Sequence, residues 1–172
     1  MTFQRSISPV LLDRASRYPV VTVTGPRQAG KTTACRQTFP HLPYANLERP
    51  DTREFAENDP RGFLDQFADG AILDEVQRVP QLLSWIQVQV DAHPGPGRYV
   101  LTGSHNFDLM RSISQSLAGR TALLHLLPLS LNEMRAAGVE LPVDELIFRG
   151  GYPRIHADGL DPTVTLGDYF AT

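Results

Sequence analysis

The chain has 172 residues, of which 41% are hydrophobic and 20% charged, with a net charge of −3 and a mean hydropathy of −0.22. These values exclude wholesale disorder and a globally basic nucleic-acid binder, and they leave room for one domain with a sizeable core. The single cysteine, Cys35, excludes an intrachain disulfide, and no apolar run approaches the ~20 residues of a membrane span.

Taken in chain order, the pattern is that of a layered α/β domain with a mostly parallel sheet. The start, MTFQRSISPVLLDRAS, lacks the apolar core of a signal peptide and predicts a short helix over 7–18. Together with the lone cysteine, this makes the cytoplasm the expected location. VVTVT (20–24) predicts a buried strand and TTACRQTF a helix that stops near Pro40, with Cys35 as a small apolar core residue. PYANL (43–47) predicts a short second strand. DTREFAEND and PRGFLDQF predict two short helices, with Asp51 and Pro60 near their starts. GAILDE (70–75) is a third strand. PQLLSWIQVQVDAH (80–93) is a helix with Leu82, Leu83, Ile86 and Val90 on one face. After the HPGPG loop, RYVLTGS (98–104) is a fourth strand, FDLMRSISQSL a helix, RTALLHLL (120–127) a fifth strand and SLNEMRAAG a helix. Residues 1–150 are expected to form the domain. Residues 151–172, ending in the aromatic-bearing TLGDYFAT, are expected to be a linker and the start of a further domain.

The chemistry concentrates in Gly25-Pro26-Arg27-Gln28-Ala29-Gly30-Lys31-Thr32, which fits G-x-x-x-x-G-K-[ST] between a predicted strand and a predicted helix. Such a loop wraps a polyphosphate with its backbone N–H groups, and the helix N-terminus adds its dipole to the same anion. Lys31 is the only lysine against fifteen arginines. Under so strong a bias lysine survives where a broad guanidinium fork cannot fit, and a compact ammonium reaching β- and γ-phosphates is such a place. Thr32 supplies a hydroxyl for Mg²⁺, and Thr33 lies beside it at the loop's end. ATP and Mg²⁺ are therefore the expected ligands.

GAILDEVQ ends its strand in two acids. After a phosphate loop, Asp74 is read as the residue that holds Mg²⁺ through water and Glu75 as the base that polarises the attacking water. The following strand, YVLTGSHN, ends in small polar residues. Ser104 and Asn106, with Thr102 behind them, are candidates to contact the γ-phosphate or the lytic water. His41, His93, His125 and His156 show no metal-ligand spacing with the cysteine, so no zinc site is expected.

The runs GPRQAGKTT, DPRGFLDQF, AILDEVQRVPQLL, YVLTGSHNFDLM, SLAGRTALLHLLPLSLNEM and FRGGYPR resemble the prokaryotic AAA-type ATP-binding proteins, and the resemblance extends over nearly the whole chain. These join an ATPase domain to a C-terminal domain described as endonuclease-like. The resemblance implies a three-layer P-loop NTPase fold of the AAA/RecA-like kind, with a five-stranded sheet in the order 5-1-4-3-2. It implies Mg-dependent ATP hydrolysis in a regulatory or motor-like role. It also draws attention to Arg120, just before the fifth strand, since related ATPases often insert an arginine into a neighbouring subunit's site; Arg27 and Arg78 are the other candidates. A homo-oligomer and the C-terminal domain are the partners it suggests. A small-molecule kinase and an ATP-binding scaffold with little hydrolysis are the alternatives. A GTPase is disfavoured because no N-K-x-D is present to read guanine. A nucleic-acid partner is left open, without support from the net charge.

Overall fold

The computed structural model describes residues 3–104 and 107–171. Its centre is a five-stranded parallel sheet in the order β2-β3-β4-β1-β5, formed by β1 (Val20–Gly25), β2 (Tyr44–Asn46), β3 (Ala71–Asp74), β4 (Tyr99–Ser104) and β5 (Thr121–His125). This is the expected order, read from the other edge. β1 and β3 are buried at every position. Both are rich in apolar residues, as strands covered on both faces are, and the polar groups they bury, Thr22, Thr24 and Asp74, are hydrogen-bonded.

Alternation sorts the two faces. Val21, Val23, Ile72 and Val100 point to one side, where α1 (Ser8–Ala15) and α2 (Lys31–Thr38) cover them with Leu11, Ala34 and Cys35. Val20, Leu73, Tyr99 and Leu101 point to the other, beneath α3 (Pro50–Asn58), α4 (Pro60–Asp65), α5 (Leu82–Ala92) and α6 (Phe107–Ser116). The predicted α5 face is met: Leu82, Leu83, Ile86 and Val90 are all in this core. The helix expected over 7–18 is shorter, because Ser16 already closes it and Pro19 cannot extend it.

Beyond β5 the chain continues through α7 (Leu131–Ala136), α8 (Val143–Arg149), α9 (Pro153–Ala157) and α10 (Pro162–Ala171). Neither α8 nor α9 was predicted. Both are short, and Ile155 on α9 is fully buried. Leu129 and Met134 meet Phe3 from the N-terminus in a small third core. Among the described residues no helix is long and apolar enough to cross a membrane.

Candidate functional site

The loop between β1 and α2 begins at Gly25, and here glycine answers first to packing. Its φ is 153°, and a Cβ would collide with the backbone oxygen of Leu126, just beyond β5. Gln28 (φ 60°) and Gly30 (φ 89°) both take left-handed conformations, and Gly30 caps α2. That path sets the α2 N-terminus against the loop, with its backbone donors free of intrahelical partners. Lys31, the first residue of α2, is 5% exposed, and its Nζ donates to the carbonyls of Gly25 (3.1 Å) and Pro26 (2.8 Å). Burial lowers its pKa, while the carboxylates of Glu75 and Asp74 act in the opposite sense. The one ammonium of the molecule is thus held over the loop as a compact cation.

A brace lies behind the loop. Arg5, itself 5% exposed, donates from Nη1 to Ala29 O (2.6 Å), from Nη2 to Leu127 O (2.6 Å) and from Nε to Glu133 Oε1 (3.1 Å). Glu133 also accepts from the backbone N–H of Ser6 and closes the capping box of α7 with Ser130. Three distant segments therefore meet on one guanidinium, whose planar fork suits such divided bonding. Nothing local in TFQRS distinguishes Arg5 from a surface arginine, and sequence reasoning missed it.

The second half of the site comes from the tips of β3 and β4. Asp74 shares its face with Ile72, the face that α2 covers, and so meets Thr32: Thr32 Oγ1 donates to Asp74 Oδ1 and Oδ2, each at 3.0 Å. Tyr44 on β2 donates to Asp74 Oδ2 at 2.8 Å, and Thr102 on β4 donates to Oδ1. Burial and the bond to Asp74 push the Tyr44 phenol above its usual range. Tyr44 was also missed. The signal was parity, because in the β2–β3 register it pairs with Ile72 and so shares the Asp74 face.

Glu75 follows in a left-handed conformation (φ 59°, ψ 46°), a turn that takes it off the strand's alternation. Its N–H donates to Thr102 Oγ1 at 3.3 Å, and its Oε2 accepts from the side chain of Gln77. Ser104 pairs with Gly25 in the β1–β4 register, which sets it level with the start of the phosphate loop. Its Oγ is buried and has no hydrogen-bond partner among the described residues. Asn106 lies outside the described residues.

Arg120 is not brought to this site. It precedes β5 at the end of the sheet where Val20 pairs with Thr121, opposite the loop. A bidentate pair occupies its guanidinium, with Nε to Asp91 Oδ1 at 2.6 Å and Nη2 to Oδ2 at 2.8 Å. The expectation was of an arginine entering a neighbouring copy's site; within one chain Arg120 lies at the end of the sheet opposite its own loop, where the strands begin. Arg78 reaches Glu48 instead, at 3.3 Å. Arg27 lies exposed in the loop itself.

A polyphosphate-wrapping loop at a strand–helix junction, a buried ammonium and a paired threonine–aspartate on one sheet face define a P-loop NTPase domain. Residues 17–135, well over half of the chain, match the family described as AAA domain. The chain belongs to that family and is an AAA-type ATPase domain. Uncharacterised proteins of Mycobacterium tuberculosis and Mycobacterium bovis are each 37% identical over 157 residues, covering 89% of this chain and 34% of theirs. The chain therefore spans about a third of the length of these relatives. Similar solved folds include AMPPCP-bound DnaA from Aquifex aeolicus (TM-score 0.58, 16% identity, 86% of this chain and 56% of that one). The Walker-type ATPase of Pyrococcus abyssi is comparable (TM-score 0.55, 14% identity, 98% and 71%).

Proposed function

We propose that the domain binds ATP with Mg²⁺ and hydrolyses it to ADP and phosphate, with its nucleotide state governing an attached segment or partner. The observation that carries this reading is the meeting of Thr32 and Asp74 at 3.0 Å across 42 positions of sequence. A hydroxyl and one carboxylate suit a hard cation that keeps several waters and shares its remaining contacts with phosphate. Among the described residues there is no cluster of three His, Cys, Asp or Glu side chains, so an all-protein metal cage is not the alternative. Mg²⁺ held by Thr32 and, through water, by Asp74 would neutralise charge on the β- and γ-phosphates.

In this reading the backbone N–H groups of residues 25–32 wrap the phosphates, and Lys31 swings from the carbonyls of Gly25 and Pro26 to the β- and γ-oxygens. Glu75 accepts a proton from water as its oxygen bonds to the γ-phosphorus. The bond from that phosphorus to the β–γ bridging oxygen breaks, and its electron pair leaves with ADP. The unpartnered Ser104 Oγ, level with the loop, is a donor suited to the γ-phosphate or the water. Asn106 has the same proposed role. A hollow of about 170 Å³ beside Gly30, lined in part by Phe3, Thr33 and Arg154, offers space next to the loop for the nucleoside.

The test is a pair of substitutions. Glu75→Gln should keep Mg·ATP affinity while turnover falls by about 10²- to 10⁴-fold, since an amide binds the water but cannot take its proton. Asp74→Asn should weaken the magnesium dependence of binding. Phosphate release by Glu75→Gln at the wild-type rate would remove Glu75 from the role of base.

A further inference from the structure

We infer that Gln77 is the positioning residue of the hydrolytic base: its amide N–H holds one carboxylate oxygen of Glu75, leaving the other for the attacking water. The inference rests on the reading of Glu75 as base. Residues two apart do not meet on a regular helix. Here they do, because Glu75 takes a left-handed turn and Val76–Arg78 form a single 3₁₀ turn, which folds Gln77 back over Glu75. A left-handed backbone at a non-glycine residue is sparsely populated, and it persists where the surroundings over-determine it. The N–H of Glu75 on Thr102, the Gln77 amide on Glu75 Oε2 and the burial of Val76 are those surroundings.

Two further observations single out glutamine. Its Oε1 is buried with no hydrogen-bond partner among the described residues, an arrangement a fold avoids unless something else requires the group there. Turning the amide over would supply no remedy, because Oε1 would then face a carboxylate oxygen. The N–H must point at Glu75, and the orphaned oxygen follows from that. Secondly, Gly103 on β4 leaves space that Gln77 shares with Leu109, since a Cβ there would lie 2.6 Å from both Gln77 Oε1 and Leu109 Cδ2. The amide is therefore seated against the tip of β4, one residue before Ser104. Asparagine would be a methylene short, and glutamate would set a second negative charge against Glu75. Glutamine is the neutral donor that reaches.

The consequence is read by single-turnover hydrolysis in the folded chain. Gln77→Ala should lower the hydrolysis rate by about 10- to 100-fold, the scale of a reacting group misplaced by about 1 Å, with ATP affinity within about twofold of wild type by calorimetry. Gln77→Glu, although isosteric, should be slower than Gln77→Ala. The double variant Gln77→Ala/Glu75→Gln should be no slower than Glu75→Gln alone, because a residue that acts through Glu75 has nothing left to act on. Unchanged or faster hydrolysis by Gln77→Ala, or losses that multiply in the double variant, would overturn the inference. Wild-type ATP affinity and melting temperature in each variant separate these results from misfolding. Should Glu75→Gln itself hydrolyse at the wild-type rate, the assignment of the base is what fails.

Discussion

At the scale of single residues, Lys31 carries the sharpest expectation. It is buried, its ammonium already sits on two loop carbonyls, and no other lysine exists to substitute for it. Lys31→Ala should weaken ATP binding about 100-fold or more, the loss of two charge-assisted hydrogen bonds of roughly 1.5 kcal/mol each. Lys31→Arg should not restore it, because a planar fork cannot enter where a thin stem lies against Gly25 and Pro26. Calorimetric titration with ATP decides both. Cys35, only four residues on, is inert by contrast: burial is the main cause that pushes its thiol up to about 12, and its role is packing beneath α2. The lysine and the acid pair were legible because their chemistry forces local spacing. Tyr44, Gln77 and Arg5 were not, since each acts through partners that only the folded register supplies.

At the scale of elements, the joint between the N-terminus and α7 deserves a pH experiment. Burial works against the Glu133 carboxylate, but the N–H groups of Ser130 and Ser6 and the guanidinium of Arg5 outweigh it, and the pKa falls below its ordinary 4.5. A depressed carboxylate adds stability that is fully present above its ordinary value and is lost as pH falls through the lower, folded value. Denaturant unfolding should thus show wild type losing stability progressively below about pH 4.5, with Glu133→Gln flatter over that window. Arg5→Ala at pH 7 should destabilise by about 3 kcal/mol, because it leaves a buried carboxylate without its cation. Elements with strong periodicity, such as α5, were read from sequence with the right face. α8 and α9 were missed because each is too short to display a period, and α8 leaves Val143 and Ile147 exposed.

At the scale of the whole molecule, the groups proposed for catalysis gather at the strand ends where β1, β3 and β4 finish, away from the edge where the strands begin. Arg120 belongs to that opposite edge. Arg120→Ala should therefore leave ATP turnover unchanged and lower the melting temperature only slightly, through loss of the exposed pair with Asp91. Turnover that collapses in this variant while ATP binding survives would return Arg120 to catalysis from a neighbouring copy.

The strand order also has a bearing on how the chain is made. β1 lies between β4 and β5, so Val20 pairs with Tyr99 and Thr121 and with nothing that precedes them. β1, buried on both faces, has no neighbour to pair with until β4 has followed. At about 5–20 residues per second that interval is several seconds. During it this strand and the phosphate loop beside it stay unassembled, so nascent chains stalled before residue 99 should lose β1 to protease while chains stalled well past residue 125 should keep it. The phosphate loop is consequently made well before β4 and β5, the strands that set β1 in place beside it.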